Sequence, residues 1–280
     1  MSLKTRTITG LSFGAVMISA CYYSTISCSI LFLFITALSL WELSTHTLTH
    51  DSSATFNLLR KFNFVLIGML MPILTALYYL FDNPLVVYAI SFLPLCCFLL
   101  FILELFGKSA KPFENISAIF LGFIYIGLPF SLLLWICNDY TNDGNHLVLA
   151  LLFMVWASDV FAYLLGSKIG KNKMFPRISP NKTWEGTFSG VLGAIFVGYL
   201  CSLLFNTLDL NMVNWIVLAS LCTVFGILGD LVESMLKRSL GIKDSGNILP
   251  GHGGMLDRFD AFIFVLPFVF TYLISIKYLL

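Results

Sequence analysis

Long apolar stretches separated by short polar segments make up most of this chain. A run of about 20 apolar residues is long enough to cross a membrane as an α-helix, so each long run is a candidate span. The breaks between runs predict about nine spans, at residues 8–23, 25–43, 62–81, 84–106, 116–137, 147–166, 184–205, 212–234 and 258–277. So little polar sequence separates the first two that a re-entrant hairpin is an alternative there. The fold class we predict is therefore all-α, a polytopic membrane helix bundle.

The composition supports a membrane protein and argues against a nucleic-acid partner. Hydrophobic residues make up 58% of the chain and charged residues only 11%, and the formal net charge is +1. So near-neutral a chain offers no electrostatic basis for binding nucleic acid.

The basic residues predict an orientation for the spans. If successive spans alternate in direction, every Lys and Arg except Lys277 lies on the side of the N-terminus. The positive-inside rule then places the N-terminus in the cytoplasm. Glu42 and Glu104 lie near cytoplasmic ends of predicted spans, where we expect their side chains to reach water.

The two halves of the chain differ in character. Residues 1–150 have short loops and few ionisable groups within the predicted spans, which predicts a structural or lipid-contacting set of transmembrane helices. Residues 151–280 hold almost all the candidate chemistry, which predicts a catalytic transmembrane part with cytoplasmic loops. Gly186 and Gly190 form a GxxxG pattern in this half, which predicts close contact between two helices.

Several acidic residues lie within or at the edges of the predicted spans of the second half, and five of them are candidates for chemistry. A carboxylate within the bilayer costs at least about 2.5–3.5 kcal/mol, so such residues usually pair, bind metal or line a pathway. The five are Asp159, Asp230, Glu233, Asp257 and Asp260. The last four form two pairs with i, i+3 spacing, which places each pair on one helix face. We expect these four carboxylates to converge on one side of the membrane. The alternative is that they form structural ion pairs with Lys237, Arg238 or Arg258 and so hold helices together.

Two cytoplasmic loops combine basic residues with glycine. The turn LPGHGGMLD carries Gly253 and Gly254, and a glycine-rich turn lets backbone N–H groups approach an anion. The loop from Gly166 to Gly186 is strongly basic, which suits phosphate or, alternatively, anionic lipid headgroups. Carboxylates that bind Mg²⁺ between such loops indicate phosphoryl or nucleotidyl transfer from a soluble donor to a lipid. A transporter or channel that uses Asp159 and Asp230 as an ion path is a competing hypothesis.

Three stretches resemble one known family. SMLKRSLGIKDSGNILPGHGGMLDRFD, from Ser234 to Asp260, resembles the C-terminal signature of the phosphatidate cytidylyltransferases, also called CDP-diacylglycerol synthases. SPNKTWEG, from Ser179 to Gly186, and the DVFAY segment from Asp159 to Tyr163 are similar to that family too. These motifs lie between about residues 156 and 262, and the N-terminal half resembles the family only as a series of spans.

The resemblance implies a function and a set of site residues. The reaction would be CTP + phosphatidate → CDP-diacylglycerol + pyrophosphate, with Mg²⁺ and with K⁺ as a candidate second cofactor. It implies metal ligands at Asp230, Asp257 and Asp260. It implies nucleotide-binding residues at Ser179, Lys182, Gly253 and Gly254. It implies catalytic or phosphate-binding residues at Lys237, Arg238, Lys243, Asp244, His252 and Arg258, although Asp244 and His252 receive no specific role.

We therefore expect an integral protein of a bacterial inner membrane whose site faces the cytoplasm. Its expected partners are CTP and phosphatidate in the membrane, and the sequence leaves a homo-oligomer open. The alternative activity is another lipid-level phosphotransferase, such as a polyprenol kinase or a polyprenyl-phosphate sugar-phosphate transferase. It would use the same acids and basic loops with a different nucleotide and acceptor.

Overall fold

The computed structural model describes residues 3–49, 53–81, 88–140, 143–249, 251 and 253–279. The described chain is mostly helical. The helices are α1 (Leu3–Tyr23), α2 (Thr25–Thr47), α3 (Ala54–Phe81), α4 (Phe92–Phe106), α5 (Pro112–Gly122), α6 (Leu128–Asp139), α7 (Gly144–Ile169), α8 (Trp184–Leu204), α9 (Met212–Ser239) and α10 (Leu256–Leu279). Short 3₁₀ turns at Ala89–Ser91 and Asn206–Leu208 precede α4 and α9.

Helix length and hydropathy confirm the predicted fold class. Among the described residues, seven helical segments are long and apolar enough to cross a membrane. Two shorter apolar helices, Thr7–Tyr23 and Phe92–Phe106, correspond to the first and fourth predicted spans. The chain is thus an all-α, polytopic membrane protein, while the count of nine spans and the cytoplasmic N-terminus remain predictions.

The span predicted at residues 116–137 contains a local change in helical geometry. Helices α5 and α6 are joined by a π-helical turn, Phe123–Gly127, so that one continuous segment runs from Pro112 to Asp139. The N–H of Leu128 donates to the carbonyl of Phe123, five residues earlier. The next residue, Pro129, has no N–H to donate, which explains why the regular α-helical pattern is interrupted here.

The basic loop after α7 folds as a β-hairpin. Strands β1 (Lys173–Phe175) and β2 (Ser179–Thr183) are antiparallel, with Lys173 opposite Thr183. Thr183 then caps α8, since its side chain accepts a hydrogen bond from the N–H of Gly186 at 3.2 Å. The hairpin is a small exception within an all-α fold, and it gives the predicted loop a defined geometry.

The chain divides into two compact units whose segments alternate along the sequence. The first unit comprises Met1–Phe13, Ser29–Trp135 and Asp244–Asp257, and the second comprises Gly14–Cys28, Ile136–Lys243 and Arg258–Leu280. These units are defined by how compactly their residues pack, and they do not test the predicted functional division at residue 150. That division stays a prediction.

A polar network lies inside the first unit. Arg60, with 0% of its surface exposed, donates from Nε to Oε1 of Glu104 at 2.6 Å and from Nη2 to Oε2 at 3.1 Å. Asn115 donates to the same carboxylate at 3.2 Å and accepts the N–H of Thr49 at 2.9 Å. The expectation that Glu104 reaches water is therefore wrong, because only 3% of this residue is exposed.

In the second unit, α8 packs closely on α7, as the GxxxG pattern predicts. A Cβ at Gly186 would lie 2.9 Å from the carbonyl oxygen of Ala162, and one at Gly190 would lie 3.0 Å from that of Ser158. These distances are shorter than ordinary van der Waals contact, so side chains at these positions would push the helices apart. Both glycines thus permit the helix contact that supports the hairpin and the start of α8.

Candidate active site

Three carboxylates meet in the second unit. Asp230, Glu233 and Asp260 each have a carboxylate oxygen that lies within 4.8 Å of an oxygen of the other two. We call these residues the acidic cluster. Glu233 has 0% of its side chain exposed, whereas the side chain of Asp230 is 39% exposed. The cluster therefore extends from the protein interior to an accessible edge.

Helix geometry explains how the acidic cluster forms. Asp230 and Glu233 lie three residues apart on α9, and Asp260 lies in the second turn of α10. At Gly229 an added Cβ would lie 2.8 Å from the carbonyl oxygen of Asp260. Because Gly229 has no side chain, α10 can approach α9 beside Asp230. The predicted convergence of Asp230 with Asp260 is present, and Glu233, which the resemblance does not mark as a ligand, belongs to the same group.

Two lysines compensate part of the negative charge. Lys182, from β2 of the hairpin, forms an ion pair with Asp230, and its Nζ lies 3.4 Å from the carbonyl of Ile227. Lys237, one turn after Glu233 on α9, forms an ion pair with Glu233. Three carboxylates thus face two ammonium groups. The ion pair of Lys237 joins two residues of α9 and does not connect two helices. The cluster as a whole keeps an excess of negative charge if all groups are ionised.

Asp159 on α7 lies close enough to Lys182 and Asp230 to interact electrostatically with both. Its side chain is exposed in the structure. Asp159 is therefore an exposed acid near Lys182 and Asp230, although it is not one of the three grouped acids.

The glycine-rich segment Asp244–Asp257, which we call the site loop, belongs to the first unit. Oδ2 of Asp257 accepts the N–H groups of Ser245 at 2.9 Å and Gly254 at 2.8 Å. Gly253 has φ +84°, and a Cβ there would lie 2.7 Å from the same oxygen. A non-glycine residue at position 253 would combine an unfavourable backbone angle with a clash, which accounts for the glycine.

Glu42 on α2 also contacts the site loop, and sequence reasoning missed it. Only 4% of Glu42 is exposed, so the expectation that it reaches water is wrong. Its Oε1 accepts the N–H of Met255 and its Oε2 that of Leu256, both at 2.9 Å. A glutamate close to the end of an apolar run is the only sequence signal for this role, and it does not identify a partner more than 200 residues away.

The remaining predicted site residues are placed as follows. Arg238, Lys243, Asp244 and Arg258 are exposed, and Ser179 is half-buried on β2. His252 lies outside the described residues. Asp257 belongs to the first unit and the acidic cluster to the second, so a metal site shared by Asp257, Asp230 and Asp260 stays a prediction.

The donor set of the acidic cluster suits a hard cation. Mg²⁺ prefers oxygen ligands and is usually bound in proteins through one or two carboxylates, with water and substrate phosphates completing the shell. Asp230 and Asp260 would supply those carboxylates, while the buried Glu233 pairs with Lys237. The residues present therefore fit the predicted cofactor, and K⁺ would be served by the same oxygen chemistry.

Comparison with known proteins gives a consistent set of relatives. The chain is 40% identical over 181 residues to a phosphatidate cytidylyltransferase of Staphylococcus saprophyticus, covering 64% of this chain and 67% of the relative. It is 42% identical over 163 residues to one of Bacillus subtilis, covering 58% and 60%. It is 43% identical over 171 residues to one of Staphylococcus aureus strain COL, covering 60% and 63%. The chain thus matches less than two thirds of the length of the latter two relatives.

The cytidylyltransferase family matches residues 4–276, which is nearly the whole chain and includes the hairpin, the acidic cluster and the site loop. The family match therefore extends through the N-terminal half, where the motifs alone gave only weak resemblance. The chain belongs to the cytidylyltransferase family.

Proposed function

We propose that this protein transfers the cytidylyl group of CTP to phosphatidate, giving CDP-diacylglycerol and pyrophosphate. The observation that carries the proposal is the acidic cluster of Asp230, Glu233 and Asp260, with Lys182 and Lys237, in a membrane protein of the cytidylyltransferase family. The relatives named above carry the name phosphatidate cytidylyltransferase, which supports this choice of nucleotide and acceptor.

The proposed reaction exchanges one phosphoanhydride bond for another. A phosphate oxygen of phosphatidate attacks the α-phosphorus of CTP and forms a new P–O–P bond. The bond between the α-phosphorus and the oxygen that bridges to the β-phosphorus breaks, and that oxygen leaves with pyrophosphate. Such a transfer requires little covalent chemistry from the protein, so positioning and charge neutralisation provide most of the rate acceleration.

The residues of the chain can perform both tasks. Lys182 and Lys237 hold the carboxylates of Asp230 and Glu233 in place, and the exposed Arg238, Lys243 and Arg258 would bind phosphate oxygens of the two substrates. Asp230 and Asp260 would hold the predicted Mg²⁺, which when bound would supply positive charge against that of the triphosphate. Gly253 and Gly254 would let the backbone of the site loop approach the nucleotide closely.

The proposal includes a place in the cell. The chain is an integral membrane protein by its helices, and its relatives are bacterial. We propose that it lies in a bacterial inner membrane with the site facing the cytoplasm, where CTP is available. The distribution of Lys and Arg between the predicted loops supports this orientation.

A lipid-labelling assay tests the proposed function. Purified protein in mixed micelles would receive phosphatidate, CTP radiolabelled in the α-phosphate, and Mg²⁺, and label in the organic phase would be counted. We expect label in the lipid that disappears with EDTA and is not obtained with ATP labelled in the same way. Folded protein that labels no phosphatidate would contradict the proposal, and polyprenyl acceptors would then be the next substrates to supply.

A further inference from the structure

Three groups of the site loop donate hydrogen bonds to Glu42, although it lies about 200 residues away in sequence. Its two carboxylate oxygens accept the N–H groups of Met255 and Leu256, one each, at 2.9 Å. The hydroxyl of Ser245 donates to Oε2 at 3.3 Å. Around Gly246 the packing is so close that an added Cβ would overlap the Glu42 carboxylate. The loop backbone therefore fits around this one side chain.

These contacts lie at the start of α10. Leu256 is the first residue of α10, and Met255 comes directly before it. The first N–H groups of a helix have no partner within the helix, and they attract negative charge. Glu42, from α2, accepts both of these N–H groups and places a negative charge at the start of α10. It thus does what the side chain of an N-cap residue does in other helices.

A second contact from α2 supports the same arrangement. His46 lies one turn after Glu42, and its Nε2 lies 3.0 Å from the carbonyl oxygen of Ser245. Asp257 holds the loop from within, through the N–H groups of Ser245 and Gly254. One face of α2 and the carboxylate of Asp257 thus fix the backbone on both sides of the glycine-rich turn.

We propose that Glu42 is a positioning residue for the cytidylyl transfer, holding the site loop and the start of α10 in the geometry that orients Asp257. This inference rests on the proposed function for its catalytic part, whereas the anchoring itself is a property of the fold. Glu42 does not need to touch either substrate to act in this way. A carboxylate is required because an amide has only one acceptor oxygen for the two N–H groups.

Hydrogen exchange and kinetics on Glu42→Gln test the proposal together. The control is Glu104→Gln, which changes another buried acid of the first unit that has its own partner, Arg60. Glu114→Gln, at an exposed acid, serves as a surface control. Exchange of the peptide that covers Met255 and Leu256 would be followed by mass spectrometry in detergent, and kcat and KM for CTP would be measured on the same preparations.

We expect Glu42→Gln to accelerate exchange at Met255 and Leu256 and to lower kcat, each by about tenfold or more, because one N–H loses its acceptor. The KM for CTP should change by less than about threefold, since the nucleotide contacts are not removed. Glu114→Gln should leave exchange at these two amides unchanged. Glu104→Gln should change it no more than it changes exchange elsewhere in the first unit, because its effect is on global stability. Glu42→Asp, which keeps the charge but is shorter by one methylene, should give an intermediate effect and remains informative if Glu42→Gln does not fold.

Each result has a definite meaning. Wild-type exchange at Met255 and Leu256 in a folded Glu42→Gln variant would overturn the anchoring. Faster exchange with an unchanged kcat would overturn the positioning role, and so would a Glu104→Gln variant that changes both quantities equally. Absence of lipid labelling by the wild-type protein, with the expected exchange pattern, would refute the proposed function and leave the anchoring intact.

Discussion

Neutralising one member of the acidic cluster should separate its role in ion binding from its cost to the fold. We consider Asp260→Asn, which keeps the shape of the side chain and removes its charge. The carboxylate oxygens that define the cluster lie no more than 4.8 Å apart. At that upper limit, with an effective dielectric constant of about 20, two unit charges repel by about 3.5 kcal/mol. The substitution removes two of the three carboxylate–carboxylate repulsions. The ion pairs of Lys182 and Lys237 and the exposure of Asp230 reduce the net gain.

The expected effect therefore changes sign with the ion. Without divalent cation, Asp260→Asn should be at least as stable as the wild type. With Mg²⁺ at about 100 times its dissociation constant, the wild type should gain about 2.7 kcal/mol, because a ligand that binds only the folded state stabilises it. The variant has lost one candidate ligand and should gain less than about 1 kcal/mol under the same conditions.

Thermal unfolding of the purified protein in detergent measures both quantities. Samples would contain either EDTA or MgCl₂, with ionic strength held constant by choline chloride so that K⁺ does not substitute at the cluster. Lipid labelling on the same samples should fall by about a hundredfold or more for the variant. An Asp260→Asn protein that is less stable in EDTA and keeps the full stabilisation by Mg²⁺ would refute the cluster as a cation site.

Three further substitutions test other parts of the structure. Glu104→Gln should destabilise the folded state by about 3 kcal/mol, because it leaves the buried charge of Arg60 without its carboxylate; specific activity per folded molecule, measured beside the unfolding midpoint, should not change. Gly193→Val should lower the free energy of unfolding by about 1–3 kcal/mol, because the new side chain would overlap an aromatic ring of α7. Gly198→Ala should be nearly neutral in the same measurement, because an added Cβ there would meet only ordinary contacts of 3.5 Å or more. Lys171→Ala, at an exposed position two residues before β1 and outside the matched motifs, should lower lipid labelling by less than about threefold. A hundredfold loss would show that the site extends to this segment.

The sequence by itself determined the fold class and the residues most concerned with chemistry. Apolar runs of membrane-spanning length identify helices because lipid leaves backbone groups no other partner, so a local pattern is sufficient. The i, i+3 spacing of Asp230 and Glu233 similarly requires only one helix. The motif from Ser234 to Asp260 indicated the family, and the match over residues 4–276 confirmed it.

Tertiary structure decided which of these residues meet. Asp260 reaches Asp230 because Gly229 lets two helices approach, and Lys182 reaches the same carboxylate from a hairpin that the sequence presented only as a basic loop. Glu42 and Glu104 were expected in water, yet each is buried with partners that satisfy its carboxylate. Periodicity shows which face of a helix is polar, but it does not show what that face contacts. A buried carboxylate is stable only where several donors from distant segments converge on it, and only the folded chain brings those donors together.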